Sequence, residues 1–302
     1  MTTRISGGMS ITLVCWALSG TYAAADTYNP ADFATSVVEY VQGAGIPSDF
    51  LSGEPYSNPA NALGRPAIDT TGDGWAIDPA EHVPVVPIYG PWRASELVSI
   101  GRGGHLALKF DRPVTNAASH PFGVDFIIFG NSINYVNYWD SWDNRDPAAM
   151  RAGSGYSSPA GLVSVSQDGA NWIAFPAGEL ANRMPSLGRI YDPAHADPAV
   201  GAFNQWWGQA TDATLPLDPA LNIASLSGKS VLEMAQLYGR SAGGAGFDIG
   251  ELGLDWIQYV RIDTPQDSPL TSIDAVSIVP EPGGPALVGI WGLLLIVRGR
   301  RA

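Results

Sequence analysis

Val124-Asp125-Phe126-Ile127-Ile128-Phe129-Gly130-Asn131 is the stretch on which the fold turns. It is apolar almost without interruption from Val124 to Phe129, rich in β-branched and aromatic residues, and closed by a glycine and an asparagine. A run of that length bounded by a turn signal predicts a central β-strand. Working outward, Leu162, Val163 and Val165 lead into Gln167-Asp168-Gly169, a hairpin-type turn, and Trp172, Ile173 and Phe175 return from it. Two more strands are predicted at Ile257 to Ile262 and Ser272 to Ile278. On the N-terminal side, Leu97-Val98-Ser99-Ile100, a glycine-rich turn at 101–104 and the alternating Leu106, Leu108 and Phe110 predict a hairpin. Strands separated by turns, with few helices between them, make an all-β antiparallel sandwich the expected fold.

The remaining segments fit around that sandwich. Asn29-Pro30-Ala31-Asp32 has the chemistry of a helix start, and Phe33, Val37 and Val41 recur every four residues up to Gly43, which predicts a short N-terminal helix. Residues 44–92 are dense in proline and glycine and read as an irregular lead-in. Two long excursions interrupt the strands. Residues 131–160 are rich in Asn, Tyr, Trp and Asp; residues 176–245 contain Trp206-Trp207 and a helical stretch near Ser230 to Tyr238. Long loops in a compact β domain are where function concentrates.

Both ends of the chain carry addresses. Arg4, the apolar Met9 to Leu18 and the small residues Ala23-Ala24-Ala25 form a signal-peptide pattern over residues 1–25, with an N-terminal membrane anchor as the alternative. At the other end stand Val279-Pro280-Glu281-Pro282, an uncharged apolar run from Ala286 to Val297, and Arg298, Arg300 and Arg301. The two prolines hold the tetrapeptide extended, and the arginines obey the positive-inside rule. At ~1.5 Å per residue, residues 283–297 span roughly 22 Å against a hydrocarbon core of ~30 Å, so the span is short. A buried C-terminal helix is the other reading.

Composition limits the partners. The single cysteine, Cys15, falls inside the leader, which leaves a mature chain with no disulfide, thiol catalysis or cysteine-held metal. The net charge is −13; removing Arg4 with the leader, and Glu281 and the three arginines with the tail, leaves the body near −16. Lys109 and Lys229 are the only two lysines. Such a body repels nucleic acid and anionic lipid. About 250 residues form the body, taken as one domain over 26–278.

The order of elements in the tail resembles the PEP-CTERM sorting signal, with a complete Val-Pro-Glu-Pro motif at Val279, Pro280, Glu281 and Pro282, a short hydrophobic helix over 285–297 and a basic terminus. The resemblance implies export, transient residence in the inner membrane and cleavage by an exosortase. A second resemblance covers most of residues 60–278. Leu63-Gly64-Arg65-Pro66, Val98-Ser99-Ile100-Gly101, Leu108-Lys109-Phe110, the stretch at 124–131, Val163-Ser164-Val165-Ser166 with Asp168-Gly169 and Trp172, and Gly246-Phe247-Asp248-Ile249 before Tyr259-Val260-Arg261-Ile262 look like bacterial cell-surface proteins with a galactose-binding-like jelly roll.

Two clusters carry candidate chemistry. Asp69-Thr70-Thr71-Gly72-Asp73-Gly74 followed by Asp78 partly resembles a calcium loop, but Ala80 stands where an EF-hand needs its bidentate Glu. Asp69, Asp73 and Asp78 therefore read either as ligands of a structural calcium, which galactose-binding-like jelly rolls often carry near this position, or as an Asp/Gly surface turn. Tyr138, Trp139 and Trp142 beside Asp140 combine flat apolar faces with hydrogen-bonding carboxylates, as a sugar site needs; a loop pinned by its own aromatics is the alternative. Enzymatic signals are weak. His82, His105, His120 and His195 lack metal-ligand spacing, no G-x-S-x-G elbow occurs, and Gly228-Lys229-Ser230 lacks the phosphate-loop glycine because Ile223 stands there. Gly243-Gly244-Ala245-Gly246 reads as a flexible turn. The expectation is a non-enzymatic exported envelope or extracellular protein contacting exopolysaccharide. A secreted polysaccharide-acting enzyme and an uncut single-pass surface protein are the alternatives.

Overall fold

The computed structural model describes residues 29–67, 90–136, 148, 151–158, 160–176, 184–191 and 208–281. The described chain is mostly β. Strands β1 (Ala34–Val41), β3 (His105–Thr115), β12 (Trp256–Asp263), β7 (Leu162–Ser166) and β8 (Ile173–Ala174) form one antiparallel sheet, in the order β1-β3-β12-β7-β8. β11 (Ala245–Phe247), β4 (Phe126–Gly130), β13 (Ser272–Ile278) and β2 (Val98–Ser99) form a second, in the order β11-β4-β13-β2. The facing side chains of the two sheets share one core. Leu106, Leu108 and Phe110 of β3, Val163 and Val165 of β7, and Val260 and Ile262 of β12 meet Phe126 and Ile128 of β4, Phe247 of β11, and Val276 and Ile278 of β13.

The predicted central strand is β4, and its lack of polar alternation has a physical cause. Phe126 and Ile128 point into the inter-sheet core, where Phe126 stacks on Phe247 at 5.0 Å. Ile127 and Phe129 point the other way and are equally buried, against Ala213, Ala242, Ala275 and Val279. A strand covered on both faces reads as a continuous apolar run.

The outer cover comes from the two excursions. β5 (Ile133–Val136) pairs with β6 (Ala152–Ser157), and β9 (Arg189–Tyr191) with β10 (Gly208–Ala210). With α1 (Val231–Tyr238) they enclose a second apolar cluster that includes Met184, Leu187, Ile190, Leu226, Met234 and Tyr238. α1 lies where the sequence predicts a helix and opens on a capping box, in which Ser230 Oγ accepts from Glu233 N and Glu233 Oε2 accepts from Ser230 N. No helix among the described residues is long and apolar enough to cross a membrane. The apolar run at 286–297 and its arginines lie outside the described residues, as does the leader at 1–25.

Two expectations are corrected. The N-terminal helix is a three-residue 3-10 turn, Pro30–Asp32, capped by Asn29 as the sequence implies, and the chain then enters β1. Spacing by four satisfies a strand as well as a helix. Thr35, Val37, Val38, Tyr40 and Val41 favour the strand, and β3 offers an edge for it to pair with. The hairpin expected across residues 97–110 is instead a corner between sheets. β2 pairs with β13, whereas β3 pairs with β1 and β12. Gly101 makes that corner with φ +78°, so close to Gly43 that a Cβ would stand 2.6 Å from the Gly43 carbonyl carbon. The hairpin predicted around Gln167-Asp168-Gly169 is β7–β8, with Ser164 opposite Ala174.

Candidate ligand-binding site

The lead-in is irregular in backbone but tightly bonded. Asp49 is 1% exposed and sits at the head of a turn in which Gly53 N donates to the Asp49 carbonyl. Its Oδ1 accepts from Leu51 N at 2.8 Å and Ser52 N at 3.2 Å, and its Oδ2 from Arg93 Nε and Ala94 N, both at 3.0 Å. Glu96, also buried, reaches back so that its Oε2 accepts from Trp92 N at 3.0 Å and Arg93 N at 2.9 Å. Tyr56 Oη donates to the Trp92 carbonyl and Asn61 Nδ2 to that of Ala94. Burial alone would raise the Asp49 carboxyl. Its bonds to Ala94, Arg93, Leu51 and Ser52 more than reverse this and hold it well below the usual carboxylate range.

This bonding presents an aromatic platform. The rings of Phe50 and Trp92 stack with centroids 5.1 Å apart at 21°, and the Arg93 guanidinium lies 5.0 Å from the Trp92 ring centre. Phe50 is 66% exposed and Leu51 62%. A flat ring held rigidly in water, with a planar donor group beside it, matches the apolar C–H face and hydroxyl rim of a pyranose. Asp49 accepts from three backbone N–H groups and Arg93 Nε, and Glu96 Oε2 from two backbone N–H groups, so both carboxylates tie the turns together. Sequence reading missed this site because its order comes from bonds between residues some forty positions apart. Asp49 followed two and three residues later by Leu51 and Ser52 in a turn closed by Gly53 is the local signal that marks it.

The platform lies at the end of the sheets where β4 finishes and β13 begins. β2, reached from the Trp92–Leu97 turn, pairs with the start of β13 through Ser99–Ser272 and Val98–Ile273, and Ile273 faces Gly130 at the end of β4. A Cβ placed on Gly90 would lie 3.1 Å from Ile133 Cγ2, so the segment entering Trp92 touches the foot of β5. Tyr135 of β5 and Tyr156 of β6 are each about half exposed. Tyr138, Trp139, Asp140 and Trp142 follow β5 in the chain but lie outside the described residues, as do Asp69, Asp73 and Asp78. Before those three aspartates the last described residue is Ala67, whose N–H donates to Asp274 Oδ1 on β13, and the first described residue after them is Gly90.

The opposite end of the sheets holds the last described residues. Val279 is buried and its N–H donates to the Asp125 carbonyl at 2.9 Å; Pro280 is half-buried; Glu281 is exposed, with Oε1 accepting from Thr115 Oγ1 at 3.3 Å. Pro282, Arg298, Arg300 and Arg301 lie outside the described residues. A buried carboxylate–imidazole pair stiffens this end. His120 Nδ1 and Asp125 Oδ1 are 2.7 Å apart with both side chains inaccessible, and Asp125 Oδ2 accepts from Ile249 N at 2.9 Å. Burial pushes the Asp125 carboxyl up, and its bonds to His120 and Ile249 only partly offset this. The pair is closed off from water and joins the stretch at 120–125 to Ile249. The other described histidine, His105, sits on β3, and His82 and His195 lie outside the described residues.

Among the described residues no group of three or more His, Cys, Asp or Glu side chains is placed to hold a metal. Comparison with known protein families and with curated proteins finds no match for the chain.

Proposed function

We propose that this is a non-enzymatic protein of the cell envelope or extracellular space, exported by its leader and sorted through a PEP-CTERM-type tail. In this reading its body is a galactose-binding-like jelly roll that contacts exopolysaccharide. Two antiparallel sheets sharing one core support the jelly-roll assignment. The observation that carries the functional reading is polarity. β13 begins beside the aromatic platform and ends at the exit of the tail, and at ~3.3 Å per residue its seven residues hold the two ends roughly 20 Å apart. A body tethered at Glu281 therefore presents Phe50 and Trp92 away from the tether. The Asp69, Asp73 and Asp78 calcium and the Tyr138, Trp139, Asp140 and Trp142 sugar contacts belong to the same proposal.

Two partners follow, an exosortase-like processing enzyme and, transiently, the inner membrane. Among the described residues the last in the core is Val279 and the next exposed one is Glu281, so cleavage beyond Glu281 leaves the described core whole. Mass spectrometry of the exported protein is expected to show a C-terminus lacking Arg300-Arg301-Ala302. An intact end on the mature protein overturns the sorting reading and leaves a single-pass surface protein.

Glycan-array binding by the body tests the ligand. Phe50→Ala removes a ring that is mostly in water, so the fold survives, while affinity for the bound glycan is expected to fall at least about tenfold, which is about 1.4 kcal/mol. Binding indifferent to Phe50→Ala and Trp92→Ala, or release of reducing sugar by the wild-type body, rejects this assignment.

A further inference from the structure

Two large aromatic side chains flank the point at which the chain leaves the sandwich. Phe122 is 61% exposed and stands three residues before Asp125, whose carbonyl holds Val279. Trp256, 37% exposed, opens β12 directly opposite Thr115, whose hydroxyl bonds Glu281. Phe122 is also the one non-glycine among the described residues with positive φ, at 59°. A bulky side chain in that region is disfavoured by about 1 kcal/mol or more, and here the strain turns the ring outward instead of into the core.

Tether length says what covers this surface. Only residues 282–285 separate Glu281 from the apolar run that starts at Ala286. At ~3.5 Å per residue, that link reaches at most roughly 17 Å. The headgroup layer occupies about 5–7 Å of this distance.

We infer that the exit end of the sandwich is a membrane-contact surface, with Phe122 and Trp256 seated in the headgroup layer of the bilayer that holds the tail. This rests on the tail being membrane-inserted. Aromatic rings favour that layer because one part of it is apolar and the other wet. Asp248 lies against Gly123, the chain neighbour of Phe122, Asp255 adjoins Trp256 in the chain, and Glu281 bonds Thr115 opposite Trp256, so the surface suits zwitterionic lipid and is repelled by anionic lipid. Seated this way, the body stands with its aromatic platform facing away from the membrane before the tail is cut.

The test uses the full chain with Cys15→Ser, so that one introduced cysteine carries an environment-sensitive fluorophore at Phe122→Cys, Trp256→Cys or, at the far end, Phe50→Cys. Each protein is reconstituted into phosphatidylcholine vesicles containing lipids with a shallow nitroxide quencher. The probes at 122 and 256 are expected to shift to the blue and to be quenched several-fold more than the probe at 50, with the difference shrinking when phosphatidylglycerol is added. If the chain floats with the vesicles and all three probes remain equally aqueous, the contact surface is wrong while the tail reading stands. A chain that does not float overturns both. A concentration-dependent shift at 122 in detergent, without vesicles, assigns the surface to a second copy and overturns the membrane contact.

Discussion

Asp49→Ala is expected to lower stability by about 3–5 kcal/mol and to abolish glycan binding together. The substitution strips four donors of their acceptor in a site only 1% exposed: Leu51 N, Ser52 N, Ala94 N and Arg93 Nε. A donor left unmade costs about 1–3 kcal/mol when buried and less at the part-buried Leu51 and Ser52, and the Arg93 charge loses an ion-pair partner. For a domain of this size the melting midpoint should fall by on the order of 10 °C. Phe50 and Trp92 stack only because that carboxylate joins the turn at 49–53 to the turn at 92–97, so the platform goes with it. Asp49→Asn keeps one acceptor oxygen and should land between. The same group sets an acid limit. Its folded carboxyl is depressed, so its contribution is complete above the unfolded value of about 4 and is lost progressively as pH falls from there. Thermal unfolding from pH 7 to pH 2.5 should show the wild type converging on Asp49→Ala below pH 4. A midpoint change under about 2 °C at pH 7 would show that the bonds at Asp49 carry no weight.

Which parts of this molecule are legible in its sequence follows from how local each determinant is. β4, β13, the β7–β8 hairpin and α1 are written in runs, turns and caps a few residues long, and each lies where those signals put it. Phe33, Val37 and Val41 at spacings of four suit a helix, but Phe33 packs on the outer face of the second sheet, Val37 on the core between the sheets, and Val41 is exposed; the decision belongs to β3, some seventy residues away. β2 and β3 adjoin in sequence, which predicts a hairpin, but Gly101 sends them to different sheets. The site divides in the same way. The proposed tail motif is a contiguous tetrapeptide, a signal that needs no folded contact to be seen in the sequence. The aromatic platform joins Phe50 to Trp92 through a buried carboxylate, and no periodicity records such a contact.

Gly243 is the clearest case, and it carries the other large effect. Gly243-Gly244-Ala245-Gly246 reads as a flexible turn, yet Ala245–Phe247 is β11, paired with β4, and Gly243 and Gly244 are buried. Gly243 has φ +87°, and a Cβ there would stand 2.1 Å from the Pro185 carbonyl oxygen. That oxygen cannot step aside, because Tyr238 Oη donates to it at 2.9 Å, and Tyr238 is itself buried in the second apolar cluster. Next to it, Leu187 N donates to the Ala242 carbonyl, and Met184 bridges Gly244, which packs on Ile127 and Ile128 of β4. Glycine is therefore needed here for close approach as much as for φ. Gly243→Ala should cost about 4 kcal/mol or more, in the range reserved for broken cores, and should loosen the second cluster from the sheet. Gly228→Ala is the matched control, since Gly228 has φ +71° with nothing within 4 Å of its Cβ position. It carries only the left-handed penalty of about 1–2 kcal/mol. Hydrogen exchange should show new opening at 184–191 and 231–247 in Gly243→Ala alone. Equal destabilisation by the two substitutions would mean that backbone conformation accounts for the whole effect and that the contact with Pro185 contributes nothing.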